Sequence, residues 1–183
     1  MKKLPLTERL EYWKYQCASL TFHNAKAVAE YLIENKRHPL QYQLLTSLYV
    51  LYSRPFKQRK QVRISEELVP SEYMEEHSYL IGLRDKMFAH VDTDGLADKN
   101  IQHLSKIWLG YRDGGFRAGM ASLFPIGFHF ERTKELCDYL HEICESKAQE
   151  ILIDALEGIG PPNLTYEVDI REGNRYLIKH REL

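Results

Sequence analysis

The chain lacks any long uninterrupted run of hydrophobic residues, so it offers no candidate for a membrane span, which needs about 18 apolar residues. Met1 to Pro5 lead directly into charged Glu8 and Arg9, so we also expect no signal peptide. The chain has only three cysteines, without the spacing of a disulfide framework. Free thiols in a reducing compartment are therefore predicted, and the cytoplasm is the expected location.

Glycine-rich nucleotide motifs and internal repeats are also absent. Gly110, Gly114, Gly115 and Gly119 are scattered and do not lie between a predicted strand and a predicted helix. The sequence therefore contains neither a phosphate-binding P-loop nor a dinucleotide fingerprint. We expect no cofactor.

The formal net charge of -1 excludes a general polycation, so any affinity for nucleic acid must come from a local patch. One such patch, called here the basic segment, contains five cations and no acid. An acidic stretch from Glu66 to Glu76 follows it. The segment is either a nucleic-acid footprint or a solvated loop whose charges pair with the acidic stretch. Its cations are Arg54, Lys57, Arg59, Lys60 and Arg63.

The 183 residues, 44% of them hydrophobic, predict one folded domain spanning 1–183. Apolar residues recur at helical spacing in four segments, and Pro55 is expected to end the second of them. Asp113-Gly114-Gly115 between apolar runs indicates a β-hairpin, and the C-terminal part of the chain resembles a second one. The expected fold is mainly α, an antiparallel up-and-down helical bundle with one or two β-hairpin additions. The predicted helices are about 7–35, 40–53, 71–90 and 131–157, and the predicted hairpins are 103–124 and 164–181.

Arg84 is the residue that least fits its surroundings. It follows Leu80 by four residues and precedes Met87 and Phe88 by three and four, so helical spacing places it in an apolar stripe. A guanidinium keeps its charge, and burial without a partner would cost several kcal/mol. Arg84 therefore needs an acidic side chain, a second subunit or an anionic ligand.

The segment Arg-Asp-Lys-Met-Phe-Ala-His, residues 84–90, resembles the HEPN superfamily, which is marked by an arginine, four to six residues and a histidine. Arg84 and His90 match that pattern, and Asp85 matches the polar residue that often follows the arginine. The surrounding string is most similar to HEPN domains of bacterial abortive-infection and toxin–antitoxin systems. The two predicted hairpins depart from the minimal helical core of the family.

The resemblance implies metal-independent RNA cleavage, in which the neighbouring 2'-hydroxyl attacks the phosphate. Histidine suits the proton transfers because its pKa lies near neutrality, and arginine suits the phosphorane oxygens. Arg84 and His90 would form the catalytic pair, with Asp85 orienting one of them, while Lys86 and the basic segment would bind RNA. Because one chain supplies one histidine and one arginine, we expect a homodimer. The resemblance also implies an antitoxin protein as partner.

Other interpretations remain open for the same residues. Arg84 can be a structural arginine that pairs with Asp85, Asp92 or a glutamate on a neighbouring helix. A HEPN-like module can also bind a nucleotide, RNA or a protein without cutting. Cys137, His141 and Cys144 lie four and three residues apart on one predicted helix face, which suits zinc ligands. Both cysteines also lie beside the apolar stripe, where thiols act as small hydrophobic residues, so we expect no metal site.

Overall fold

The computed structural model describes residues 5–35, 38–85, 107–112, 114–120, 130–156, 166–168 and 176–178. Within these ranges the chain is mainly helical, which confirms the predicted fold class. Two 3-10 turns, Glu66–Leu68 and Ser71–Tyr73, precede the third helix. The helices are α1 (Leu6–Glu34), α2 (Gln41–Lys57), α3 (Met74–Leu83) and α4 (Phe130–Leu156).

The two long helices α1 and α4 form the main helix pair and run antiparallel. Ser19 contacts His141, and Lys26, further along α1, contacts Asp138, which comes earlier in α4. The α2 helix packs on the same part of α1, where the ring of Phe22 lies against Tyr52 and Phe56. All four helices contribute to one core. Its largest fully buried side chains include Phe22, Leu32, Leu45, Leu48, Tyr49, Tyr52, Phe56, Leu80, Leu136 and Leu140.

Two antiparallel hairpins accompany the helices, and both lie within the predicted ranges. Strands β1 (Ile107–Arg112) and β2 (Gly115–Met120) pair with Arg112 opposite Gly115. Gly114 in the turn has a φ of 78°, a conformation that glycine adopts without strain. The shorter strands β3 (Tyr166–Val168) and β4 (Tyr176–Ile178) form the second pair.

The expected end of α2 at residue 53 is wrong, because the helix continues through Pro55 to Lys57. A proline lacks only its own N–H and can therefore be tolerated in a last turn that other contacts hold. The carbonyl of buried Pro55 accepts a hydrogen bond from the N–H of Ile64 at 3.1 Å, which folds the basic segment back onto the helix. This extension decides where Lys57 lies.

The predicted third helix, 71–90, begins with the 3-10 turn at Ser71 and continues as α3. Its last predicted residues, 86–90, lie outside the described part of the chain. Among the described residues, no helix combines the length and the apolarity that crossing a membrane requires.

Candidate functional site around Arg84 and Lys57

Arg84 lies at the C-terminal end of α3. Its backbone N–H donates to the carbonyls of Leu80 and Ile81, so the helical path continues to this residue. Leu80 and Leu83 are buried, and they hold this end of α3 against the core. The side chain of Arg84 keeps 33% of its surface exposed, so the guanidinium lies at the edge of the core and can reach solvent.

Asp85 binds two cations, one with each carboxylate oxygen. Nη1 of Arg84 lies 2.7 Å from Oδ1, and Nζ of Lys57 lies 2.8 Å from Oδ2. Partial burial alone would raise the pKa of Asp85, but the hydrogen bonds and charges of Lys57 and Arg84 outweigh it and lower that pKa. Asp85 is therefore ionised, and the three side chains together carry one net positive charge. We call these three residues the Arg84 cluster.

The Arg84 cluster connects the basic segment to the start of the Arg-x5-His motif. All five cations of the segment are exposed, and Lys57 is the one that reaches Asp85. Within the described residues, Arg54, Arg59, Lys60 and Arg63 form no ion pair with any carboxylate. The structure therefore does not show the pairing with the acidic stretch that the solvated-loop interpretation expects.

The other two predicted site residues, Lys86 and His90, lie outside the described residues. The structure thus brings together Arg84, Asp85 and Lys57. The convergence of Arg84 with His90 stays a prediction.

A buried histidine that the sequence does not mark as part of a site lies two turns before Arg84 on α3. His77 is 2% exposed, and its Nδ1 lies 2.8 Å from the hydroxyl of Tyr52. Its Nε2 lies 3.9 Å from a carboxylate oxygen of Glu66, and its ring packs edge-on against Phe56. Burial lowers the pKa of His77, and the charge of Glu66 opposes this shift while that of Lys57 adds to it.

The tautomer of His77 follows from its two partners. Burial raises the pKa of Tyr52 well above its usual value, so the phenol keeps its proton and can donate it to Nδ1. The Glu66 carboxylate on the Nε2 side favours the tautomer of the neutral ring that carries its proton on Nε2. The cluster of Tyr52, Phe56 and His77 thus fixes α3 against α2, and it positions the helix that carries Arg84.

The cysteine and histidine set on α4 does not form a metal site among the described residues. Cys137 and Cys144 are fully buried in the core, and burial raises the pKa of the Cys144 thiol to about 12. His141 instead contacts the side chain of Ser19 through Nδ1 at 2.8 Å, and its Nε2 lies 3.5 Å from Glu145. Ser19 is 3% exposed in the middle of α1, so this hydroxyl is closed to a substrate and joins the helices instead.

Comparisons with known proteins provide no relative for this chain. No protein-family model matches it, and no curated protein or solved structure is significantly similar. The functional interpretation therefore rests on the residues and their geometry.

Proposed function

We propose that the protein is a HEPN-like, metal-independent endoribonuclease that acts as a homodimer in a cytoplasmic defence or toxin–antitoxin system. The observation that carries this proposal is the double contact of Asp85 with Arg84 and Lys57. It joins the arginine of the motif to Lys57, one of the exposed cations of the basic segment. A polyanion that lies on the basic segment would therefore reach Arg84.

The chemistry needs no metal. The 2'-oxygen would attack the adjacent phosphorus as its proton leaves to a base, and the bond from phosphorus to the 5'-oxygen would break. The products would be a 2',3'-cyclic phosphate and a 5'-hydroxyl, which takes up a proton from an acid. His90 is the residue suited to these proton transfers. The Arg84 guanidinium would bind the phosphorane oxygens, whose charge increases in the transition state.

The proposed role of Asp85 is to orient Arg84. Its Oδ1 holds Nη1 and leaves the remaining guanidinium N–H groups for other acceptors. Lys57 would supply a second positive charge beside the same phosphate. The four cations that form no ion pair within the described residues would guide the RNA backbone toward this point; they are Arg54, Arg59, Lys60 and Arg63.

A second candidate function is an RNA-binding module that does not cut, with an antitoxin or another protein as its partner. The observation that favours it is the ion pair of Arg84, since an arginine already neutralised by Asp85 can serve binding and positioning alone. Both functions share the RNA surface. They differ only in whether a cyclic phosphate is produced.

Cleavage of end-labelled single-stranded RNA in EDTA tests the proposal and separates the two functions. We expect wild-type protein to cut and to leave cyclic-phosphate ends, and Arg84→Ala and His90→Ala to lose this activity. His23→Ala is the matched control, because His23 is an exposed histidine on α1. All variants are first shown to be folded by circular dichroism. If the wild type binds RNA without cutting it, the second candidate function, the RNA-binding module, is supported. If every variant cuts equally, the mechanism that uses Arg84 and His90 is contradicted.

A further inference from the structure

One histidine of α1 and one of α4 lie side by side where the two long helices pack. The ring centres of His23 and His141 are 5.2 Å apart. Glu145 follows about one turn later on α4, and its Oε2 lies 3.5 Å from Nε2 of His141. His23 is exposed, and the side chains of His141 and Glu145 keep 23% and 49% of their surface exposed. Two imidazoles and one carboxylate thus lie within reach of solvent at the same point of the helix pair.

The ring of His141 is oriented by two contacts with Ser19. Its Nδ1 lies 2.8 Å from the Ser19 hydroxyl and 3.2 Å from the Ser19 main-chain carbonyl. When Nε2 of a histidine binds an ion, the proton of the neutral ring lies on Nδ1, and in metal sites a backbone carbonyl commonly accepts it. The Ser19 carbonyl is in place for this role, which leaves Nε2 facing Glu145.

The distances between these side chains suit ligands of one tetrahedral ion. Zinc binds imidazole nitrogen and carboxylate oxygen at about 2.1 Å, so two such donors on one ion lie about 3.4 Å apart. The 3.5 Å between Nε2 of His141 and Oε2 of Glu145 agrees with this value and is long for a hydrogen bond. Two imidazoles on one tetrahedral ion have ring centres about 5 Å apart, as the rings of His23 and His141 have.

We propose that His141, Glu145 and His23 bind one divalent transition-metal ion such as zinc, with water as the fourth ligand. His141 and Glu145 already lie at the required separation. Within the part of the chain that the structure describes, no three such groups yet surround one point, so His23 completes the site by turning its exposed side chain. Among the described residues His23 has a ring contact with His141 and no hydrogen bond, which permits this turn.

The charge of this part of α4 favours a cation. From Asp138 to Glu145 the sequence carries three carboxylates and no lysine or arginine. Lys26 pairs with Asp138 at 2.6 Å, which leaves Glu142 and Glu145 as the negative groups beside the two histidines. Imidazole together with carboxylate is a donor set that zinc, nickel and copper ions accept.

A bound ion would join the two long helices, because His23 belongs to α1 and the other two ligands belong to α4. An ion that binds only the folded chain raises its stability by mass action. The site shares no residue with the Arg84 cluster, so the inference does not depend on ribonuclease activity.

Titration with cobalt(II) tests the inference, using the full untagged chain after EDTA treatment and desalting. Cobalt replaces zinc in tetrahedral sites and makes them absorb visible light. We expect a visible band for wild type that excess zinc removes. His23→Ala and Glu145→Gln should weaken binding about tenfold or more, since even residues behind the ligands cost this much. Glu131→Gln is the control, because it removes an exposed carboxylate of α4 outside the site and should bind as wild type does.

Thermal unfolding with and without zinc gives a second readout. Zinc should raise the melting temperature of wild type and of Glu131→Gln but leave that of His23→Ala unchanged, and circular dichroism shows that each variant is folded. The absence of a cobalt band in wild type would overturn the inference, as would an affinity that neither ligand substitution lowers. RNA cleavage in EDTA measures the proposed function separately. A chain that cuts RNA but binds no cobalt would keep that function and lose the metal site.

Discussion

Lys57 and Asp85, which belong to different segments of the chain, meet through Nζ and Oδ2 at 2.8 Å. Asp85 also holds Arg84, so a single carboxylate fixes the end of α2 to the end of α3. This contact joins the motif arginine to one residue of the basic segment.

Replacing Arg84 with alanine should affect function far more than folding. The side chain is one-third exposed, and a partly exposed ion pair contributes at most about 1 kcal/mol to stability. We expect a free energy of unfolding within about 1 kcal/mol of wild type, together with loss of RNA cleavage or binding. Urea unfolding and a filter-binding assay measure the two effects. A large loss of stability with unchanged RNA binding would identify Arg84 as a structural residue.

Replacing Asp85 with asparagine should strengthen RNA binding. The carboxylate neutralises Lys57 and Arg84, and its loss frees both cations for phosphate. For single-stranded RNA each added phosphate contact steepens the salt dependence, so the slope of log affinity against log salt should become more negative by about 0.7 to 1.4. Fluorescence anisotropy with labelled RNA at several salt concentrations measures this change. If Asp85→Asn binds RNA more weakly, the orientation of Arg84 by Asp85 contributes more to affinity than the positive charge that the substitution frees on Lys57 and Arg84.

The triple substitution of Arg59, Lys60 and Arg63 by glutamine should weaken RNA binding for every sequence and reduce the salt slope by about 2. Stability should be unchanged, since all three side chains are exposed and form no ion pair with the described residues. The control adds three negative charges at exposed positions elsewhere, through Gln43→Glu, Ser47→Glu and Gln149→Glu. If the control weakens binding equally, net charge and not the basic segment governs RNA affinity.

Stability should decrease on acidification because of His77. Burial lowers its folded-state pKa below the ordinary value of 6.5, so the unfolded chain binds a proton more readily. The stabilisation from neutral His77 is complete above the unfolded pKa and is lost as the pH falls through the lower folded-state value. Melting temperatures measured from pH 8 downward should show this loss. His77→Gln should flatten the dependence, and exposed His23→Ala should leave it as in wild type.

The partner of His77 offers a test without a change of pH. Tyr52→Phe removes the hydroxyl that donates to Nδ1 and leaves a buried nitrogen unsatisfied, which costs about 1–3 kcal/mol. Tyr139→Phe, at an exposed position of α4, should change stability little. Equal stability of the two variants would contradict the hydrogen bond.

Much of the fold follows from local sequence patterns. The helices repeat apolar residues at helical spacing, and Gly114 lies in the turn of the first hairpin, where its positive φ favours glycine. The end of α2 was misjudged at Pro55. A local rule treats proline as a stop, while the continuation depends on a hydrogen bond from Ile64 that forms only after the chain folds back.

The site is harder to predict from the sequence, because its contacts join residues that lie far apart in the chain. The spacing of Arg84 predicts that it needs an anion, and Asp85 is an acidic side chain next to it in sequence. The contact between Asp85 and Lys57 joins separate helices and depends on how α3 packs on α2. The pairing of Tyr52 with His77 is equally long-range, and an apolar stripe gives no signal for a hydrogen bond inside it.

The helices differ greatly in length, and Arg84 follows the shortest. The α1 and α4 helices span 29 and 27 residues and support each other along most of their lengths, whereas α3 spans 10. Amide hydrogens of the long pair should therefore exchange only on global unfolding, and those near Leu83 should exchange through smaller openings. Arg84 thus lies at the end of a short helix, and the long helices α1 and α4 form the most stable part of the bundle. A ligand that engages Arg84 can shift it by moving one short helix, without disturbing the pair that holds the molecule together.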